Sequence, residues 1–210
     1  MLLETRAVPP FFKNGYVIGC EETRDGAIVD PGEELDELLA AVREHRLTIR
    51  HILLTHAHVD HVSGLARARE LFGAPIHLHH AEQPFYEAAP QQGLFLGWQV
   101  DPLPPVDHYY DQSPIVFGQC QVKAHHTPGH TPGGVSLEVS RVGEACVRLF
   151  TGDTLFSGSI GRTDLPGGDY PTLIRSIKEV LLAFPDTTEV LPGHGPATTI
   201  GEERRTNPFL

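Results

Sequence analysis

LLTHAHVDHVSG, residues 53–64, places three histidines and one aspartate within six positions, directly after an apolar run. The run itself, IRHILLT (49–55), predicts a buried strand. Ionisable groups at the end of such a strand are costly to bury unless they are paired, and coordination of a metal ion removes that cost. The segment therefore predicts a metal-binding loop, whose candidate ligands are His56, His58, Asp60 and His61.

Length and composition limit the class of protein. The chain has 210 residues and a formal net charge of −11, which fits one domain over 1–210 and disfavours nucleic acid as a partner. The beginning of the chain, MLLETRAVPPFFKNG, is not typical of a signal peptide, and no window approaches the ~18 apolar residues of a membrane span. We expect a cytoplasmic protein that binds neither nucleic acid nor membrane, and its oligomeric state stays open.

Strands and helices alternate along the chain. Apolar periodicity predicts helices at 33–45, at 62–72 just past the histidines, and at 173–184 with Asp169 as N-cap. Thr199 and Glu202 have the spacing of a capping box for a terminal helix. This alternation predicts a layered α/β sandwich. Besides 49–55, strands are predicted at 2–7, 16–19, 27–30, 75–79, 115–117, 119–125, 135–140, 146–150 and around 188–192.

The segment 81–105 interrupts this pattern. It mixes proline, glycine and aromatic residues without a sustained period, which predicts a long, partly helical loop. Loops of that length in compact domains are often functional.

The loop at 53–64 needs further ligands from elsewhere. Its two halves can face two different cations, and each zinc ion takes about four to five ligands when a water position is included. Three isolated residues stand beside glycines near predicted strand ends: His130 in HHTPGHTPGG, Asp153 in LFTGDTLF and His194 in VLPGHGP. Glycine permits close approach to a ligand, and a strand end exposes it on a rigid scaffold.

These motifs resemble a known family. THAHVDH (55–61) resembles the T-H-x-H-x-D-H signature of the metallo-β-lactamase superfamily, and the three later ligands follow in its expected order. The resemblance covers essentially the whole chain and implies an αββα four-layer sandwich with a dinuclear site. It assigns His56, His58 and His130 to the first metal, assigns Asp60, His61 and His194 to the second, and makes Asp153 the bridge. The two divalent ions would be zinc, with iron or manganese also compatible with these ligands.

Within the superfamily, FTGDTLFSGSIGRTDLPGG (150–168) is similar to the glyoxalase II (hydroxyacylglutathione hydrolase) branch, with Gly161 and Arg162 as its Gly-basic pair. The end, LPGHGPATTIGEERRTNPFL, is similar to short single-domain members. Only 16 residues follow His194, so we expect no C-terminal helical domain of the classical kind. Residues 195–197 are Gly-Pro-Ala where classical enzymes carry a glutathione-contacting tyrosine.

The resemblance implies hydrolysis of small acyl thioesters of the S-lactoylglutathione type by a metal-bridging hydroxide, without a serine or cysteine nucleophile. Asp60 would be both a metal ligand and the catalytic residue that orients this nucleophile. Arg162 is a candidate for binding a substrate carboxylate through a two-pronged contact, and a surface arginine or an internal salt bridge is an equal alternative.

Two other functions fit parts of the pattern. Persulfide dioxygenases resemble this chain in the T-H-x-H-x-D-H loop and in GRTD (161–164), and they use a single iron. That branch follows its last histidine with Asp-Tyr, where this chain has Gly195 and Pro196. Another metallo-hydrolase, such as a lactonase or a β-lactamase, shares all of the ligands. A non-catalytic binding module is disfavoured because the full ligand set is present.

Overall fold

The computed structural model describes residues 1–144 and 148–210. They form two compact units: unit 1 comprises Met1–Tyr110 and Val116–Cys120, and unit 2 comprises Asp111–Ile115 and Gln121–Leu210. The predicted strand at 146–150 begins outside the described residues. Across the described ranges, the helices are all too short or too polar to cross a bilayer.

Unit 1 is built on a sheet that combines antiparallel and parallel strands. Strands β1, β2 and β3 pair antiparallel, whereas β3, β4, β5 and β6 are parallel neighbours in that order. Parallel strands bring their carboxyl ends to one edge of a sheet, so the segments that leave β3, β4 and β5 begin side by side. The strands are β1 (Leu2–Arg6), β2 (Gly15–Gly19), β3 (Asp25–Val29), β4 (Thr48–Leu53), β5 (Ile76–Leu78) and β6 (His108–Tyr109).

Helices cover the apolar residues of this sheet. Leu35, Leu38 and Val42 follow the helical period along α1 and join a buried cluster with Ile52 and Ile76 from the strands. Burial of each such side chain contributes roughly 1.5–3 kcal/mol. The helices of unit 1 are α1 (Leu35–Glu44), α2 (Val59–Val62), α3 (Leu65–Phe72) and α4 (Gln83–Phe95).

Unit 2 contains a second sheet, in which β10 lies between an antiparallel neighbour, β9, and a parallel neighbour, β13. Leu149, Leu173, Ile177 and Val190 form its buried core with the flanking helices. The strands are β8 (Cys120–His126), β9 (Val135–Arg141), β10 (Arg148–Gly152), β11 (Leu155–Phe156), β12 (Ser159–Ile160), β13 (Glu189–Pro192) and β14 (Thr198–Thr199), with β7 (Ile115–Phe117) where the two ranges alternate.

The helices of unit 2, α5 (Tyr170–Glu179) and α6 (Ile200–Thr206), begin where capping residues predict. The Asp169 side chain accepts a hydrogen bond from the Thr172 amide, and the Thr199 hydroxyl accepts one from Glu202. Both caps satisfy amides that have no partner inside their own helix. Helix α5 is shorter than the predicted helix and is followed by a 3₁₀ turn at Leu181–Ala183.

One prediction about the helices of unit 1 was confirmed and another was wrong. The segment predicted as a long, partly helical loop contains α4, a helix of 13 residues that accommodates Pro90. The helix predicted to begin just past the histidines begins among them, because α2 starts at Val59 and is followed by α3. Asp60 and His61 therefore lie on a helical turn and not on an extended loop.

Candidate metal centre

The four predicted ligands of unit 1 occupy the segment that leaves β4. His58 is extended (φ −66°, ψ 149°) and immediately precedes α2, so the backbone changes from loop to helix within the ligand segment. The rings of His56 and His58 lie 4.9 Å apart between centroids, and those of His56 and His61 lie 4.0 Å apart. The side chain of His61 is fully buried, and that of Asp60 is 15% exposed. The segment thus gathers its imidazoles at one place.

The spacing of these ligand atoms is suited to a shared cation. Nε2 of His61 and Oδ2 of Asp60 are 3.7 Å apart, beyond the usual length of a hydrogen bond. Two ligands of one tetrahedral ion, with bonds of about 2.0–2.2 Å, lie roughly 3.3–3.5 Å apart. Ligand atoms of His56 also lie within 4.8 Å of those of His58 and of His61. Imidazole nitrogens and carboxylate oxygens at such separations fit a divalent metal ion.

Asp30, just past the end of β3, supports this segment and was not among the predicted site residues. Its carboxylate accepts hydrogen bonds from the Thr55 amide (2.7 Å), the Thr55 hydroxyl (2.6 Å) and Nδ1 of His61 (2.9 Å). Since Nδ1 of His61 donates to a carboxylate, the tautomer leaves the Nε2 lone pair on the side of Asp60. A carboxylate behind a ligating histidine is the usual way in which proteins orient such a ring.

A buried ion pair holds the turn that carries Asp30. Lys13 donates to the backbone carbonyl of Asp30 and to the carboxylate of Glu34, and both of these charged side chains are only 2% exposed. Glu34 also accepts a hydrogen bond from the Gly32 amide at 3.0 Å. Gly32 itself has no room for a side chain, because a Cβ there would lie 2.1 Å from the Asp60 carbonyl oxygen. The Pro-Gly turn is therefore fitted against the ligand segment.

Two side chains from the region of α4 hold the backbone between the ligands. The buried carboxylate of Glu82 accepts a hydrogen bond from the Ala57 amide at 2.9 Å, and the Gln92 side-chain oxygen accepts one from the Val59 amide at 3.3 Å. The sequence offered little signal for either residue, since both lie in the stretch that lacks a regular pattern. The helical turn that α4 provides brings them to the ligand segment.

In unit 2, two ligands follow the ends of neighbouring parallel strands. Asp153 follows β10 and His194 follows β13, and these strands pair in parallel. The Gly193 amide donates to the Gly152 carbonyl at 2.7 Å, which ties the two strand ends together. Nε2 of His194 lies 3.6 Å from Oδ2 of Asp153, again at the separation of two ligands and beyond a hydrogen bond.

His130 completes the group in unit 2. Its Nδ1 donates to the backbone carbonyl of Arg162 at 2.8 Å, and its Nε2 lies 3.7 Å from the same Oδ2 of Asp153. A carbonyl only accepts, so a neutral His130 carries its proton on Nδ1 and presents the Nε2 lone pair to Asp153. Gly161 permits this packing, because a Cβ there would lie 1.8 Å from the Asp153 carbonyl oxygen.

The Arg162 side chain is already engaged by a neighbour. Its guanidinium forms a two-pronged contact with Asp164 at 2.7 and 2.8 Å, and both side chains are mostly exposed. The hydrogen bond from Arg162 lowers the pKa of the Asp164 carboxyl to about 2. Arg162 as a clamp for a substrate carboxylate therefore stays a prediction, and such a substrate would compete with Asp164.

The chain belongs to the metallo-β-lactamase superfamily, whose family model matches residues 8–194. Among curated relatives, an uncharacterized protein of Mycobacterium tuberculosis is 41% identical over 206 residues, covering 94% of this chain and 92% of that protein. The hydroxyacylglutathione hydrolase GloC of Haemophilus influenzae is 38% identical over 214 residues, covering 100% and 98% of the two chains. The predicted family is confirmed.

Solved structures of similar chains support the same fold. The B3 metallo-β-lactamase BLEG-1 superposes with a TM-score of 0.89 and 37% identity, covering 100% of this chain and 99% of that one. TTHA1623, crystallised in a di-iron-bound form, superposes with a TM-score of 0.85 and 39% identity, covering 99% of this chain and 100% of that one. ETHE1 from Myxococcus xanthus superposes with a TM-score of 0.77 and 29% identity, covering 99% of this chain and 84% of that one. The fold is therefore that of the metallo-β-lactamases, as predicted.

Proposed function

We propose that the protein hydrolyses small acyl thioesters at a dinuclear metal centre. The similarity to GloC, which extends over almost all of both chains, carries the choice of reaction. The chemistry of the ligands supports the choice of cofactor, because each unit presents histidine nitrogens beside a carboxylate at ligand spacing. The substrate is a small molecule of the S-lactoylglutathione type, and the cytoplasm is the proposed location.

In the proposed centre each ligand keeps the role that the family pattern gives it. Zinc is the proposed metal at both positions, and iron is a supported alternative because a 39% identical structure holds two irons. By that pattern His56, His58 and His130 would hold one ion, Asp60, His61 and His194 would hold the other, and Asp153 would be their shared ligand.

The residues of this chain give the reaction its geometry. Divalent ions, when bound, supply Lewis acidity that activates water and stabilises the oxyanion formed at the thioester carbonyl. The partly exposed Asp60 carboxylate accepts a hydrogen bond from the attacking water and fixes its direction. Asp30 and the Arg162 carbonyl hold His61 and His130 in the tautomers that direct Nε2 inward. Glu82 keeps the backbone between His56 and His58 in place.

Elemental analysis beside a thioester assay tests this proposal. We expect two metal ions per chain and hydrolysis of S-lactoylglutathione, and we expect Asp153→Ala to lose both metal and activity. His80→Ala, at an exposed histidine of the same unit as the His56 segment, is the control and should keep both. One tightly held iron per chain, together with full metal and activity in His194→Ala, would contradict the dinuclear centre.

Two alternatives are supported by particular similarities. The resemblance of THAHVDH and GRTD to persulfide dioxygenases favours a mononuclear-iron enzyme of that kind, and similarity to BLEG-1 favours a β-lactamase or another metallo-hydrolase such as a lactonase. Oxygen uptake with glutathione persulfide and hydrolysis of a chromogenic cephalosporin by the same preparation distinguish them. Oxygen consumption without any thioester hydrolysis would replace the proposed reaction by the first alternative.

A further inference from the structure

Unit 1 exposes a set of large apolar side chains beside the ligand segment. We call them the apolar rim: Phe11, Phe12, Leu94, Phe95 and Leu96. All five are exposed, and Phe95 is 92% exposed. Single exposed apolar residues are ordinary on protein surfaces, but a group of them beside a reactive site marks a binding surface.

The two parts of the apolar rim are joined by an aromatic contact. The Phe11 ring meets the Trp98 ring edge-on, with centroids 4.4 Å apart. The Trp98 amide donates to the Gly93 carbonyl at 2.7 Å, so the chain folds back at the end of α4. This contact places the loop that carries Phe11 against the segment that carries Leu94.

The apolar rim reaches the ligand segment at two places. Phe11 and Val8 line a shallow surface cleft that Asp60 also lines. Gln92, two residues before Leu94, accepts the hydrogen bond from the Val59 amide. Apolar surface therefore begins at the proposed catalytic carboxylate and continues outward along the end of α4.

The charge distribution along the apolar rim argues against an anionic occupant. The segments 7–12 and 81–105 contain no lysine or arginine. Lys13, the cation in the cleft, is buried against Glu34 and the Asp30 carbonyl, and Glu33 adds negative charge there. A carboxylate would therefore lack a cation to bind at this surface, whereas a hydrocarbon chain would gain by leaving water.

We propose that the apolar rim binds the acyl chain of the substrate, so that the preferred substrates are thioesters of medium-chain or aromatic acids. This inference rests on the proposed thioester hydrolysis and specifies its substrate class. The carbonyl carbon would lie near Asp60, and the hydrocarbon chain would extend past Phe11 toward Leu94.

Two glutathione thioesters that differ only in the acyl group test the proposal. We expect kcat/KM for S-octanoylglutathione to exceed that for S-lactoylglutathione by about 10-fold or more, since each methylene removed from water adds to binding. Phe12→Ser and Leu94→Ser should each lower the octanoyl value about 3- to 10-fold more than they lower the lactoyl value. Leu71→Ser, at an exposed leucine on α3, is the matched control and should change neither.

The possible outcomes separate this proposal from the one on which it rests. If S-lactoylglutathione is hydrolysed at least as well as the octanoyl thioester and the rim variants change nothing, the acyl site is wrong and thioester hydrolysis stands. If light scattering shows a dimer that Leu94→Ser dissociates, with acyl preference unaltered, the apolar rim is a contact between copies of the chain. If neither thioester is hydrolysed, both proposals fail.

Discussion

The predicted ligands of unit 1 and those of unit 2 are held by different means. In unit 1, side chains far apart in sequence support the ligand segment: Asp30 bonds His61, and Glu82 and Gln92 bond the backbone between the histidines. In unit 2, backbone groups and glycines provide most of the support described above, as in the hydrogen bond from His130 to the Arg162 carbonyl. His194 is also 30% exposed, whereas His61 is fully buried. Because more side chains support the segment in unit 1, we expect substitutions there to cost more.

The largest expected effect follows from Asp60→Asn in unit 1. The amide keeps the shape of the carboxylate but loses the charge that orients the attacking water, so kcat should fall about 100- to 1,000-fold with KM little changed, the pattern of a lost transition-state interaction. His194→Ala in the more exposed half should lower kcat less. Steady-state kinetics with S-lactoylglutathione measure both variants.

Asp101→Asn serves as the control for Asp60→Asn, because Asp101 is an exposed aspartate of the same unit. It should behave as the unchanged protein does. A loss confined to KM in Asp60→Asn would show that the carboxylate contributes only uniform binding. A larger loss in His194→Ala than in Asp60→Asn would reverse the comparison between the two units.

Asp30→Asn tests the support behind the ligands in the same way. The substitution removes a buried charge that accepts three hydrogen bonds, and loss of such partners commonly lowers metal affinity 10- to 100-fold. We expect this range from competition with a metal chelator. Asp36→Asn, which removes a carboxylate from an exposed pair with Arg67, should leave metal affinity unchanged. Equal affinities for both variants would mean that Asp30 does not support the ligand.

Gly161→Ala is the corresponding change in unit 2. A Cβ at this position collides with the Asp153 carbonyl, which belongs to backbone and cannot rotate away, so the loop must move. Gly158→Ala, in the same region with open space around its Cβ but a positive φ, controls for the glycine itself. Metal affinity should fall in Gly161→Ala by up to about 10-fold, less than in Asp30→Asn, because a loop can adjust where a buried carboxylate cannot.

The same contrast explains how far the sequence could predict the molecule. The predicted ligands of unit 1 lie together because they share one short segment after β4. Asp153 and His194 of unit 2 lie together because neighbouring parallel strands end at one edge, a rule that sequence can use. Asp30 was missed because a single aspartate before Pro-Gly is typical of a turn. The bounds of helix α4 were not predicted, because Pro90 and a weak apolar period conceal them. The helix is held by tertiary contacts instead, such as the hydrogen bond from the Tyr86 hydroxyl to the Pro104 carbonyl.

Unit 1 should also be the more acid-sensitive half. His77 is buried next to His51 and His108. Loss of solvation lowers the pKa of His77 to about 4; the two neighbouring imidazoles add to this shift, and Asp107 partly offsets it. The folded pKa lies below the unfolded value near 6.5, so the full stability is present above pH 6.5 and is lost as the pH falls toward 4. The loss should reach about 2 kcal/mol after allowance for partial solvation.

Chemical denaturation of the metal-loaded protein between pH 7 and pH 4 measures this loss. His77→Phe should flatten the dependence over this window, and His80→Gln, at an exposed histidine, should not. Hydrogen exchange at pH 5 should show the increased opening in the strands of unit 1 before those of unit 2. Equal pH dependence in His77→Phe and the unchanged protein would contradict the role of this imidazole.

The smallest expected effect belongs to Arg162→Ala in unit 2. The guanidinium is exposed and bound to Asp164, so its removal should not change folding, while the backbone carbonyl that holds His130 remains. If Arg162 exchanges Asp164 for a substrate carboxylate, KM for S-lactoylglutathione should rise about 10-fold with kcat nearly unchanged, as expected for the loss of one charge-assisted contact. Asp164→Ala should act in the opposite direction, because it removes the competing carboxylate. With a thioester that lacks the glycine carboxylate, both variants should have the same KM as the unchanged protein. If Arg162→Ala and the unchanged protein have identical KM values on the complete substrate, the Arg162 side chain only pairs with Asp164. Unit 2 would then contribute ligands without a substrate clamp at this position.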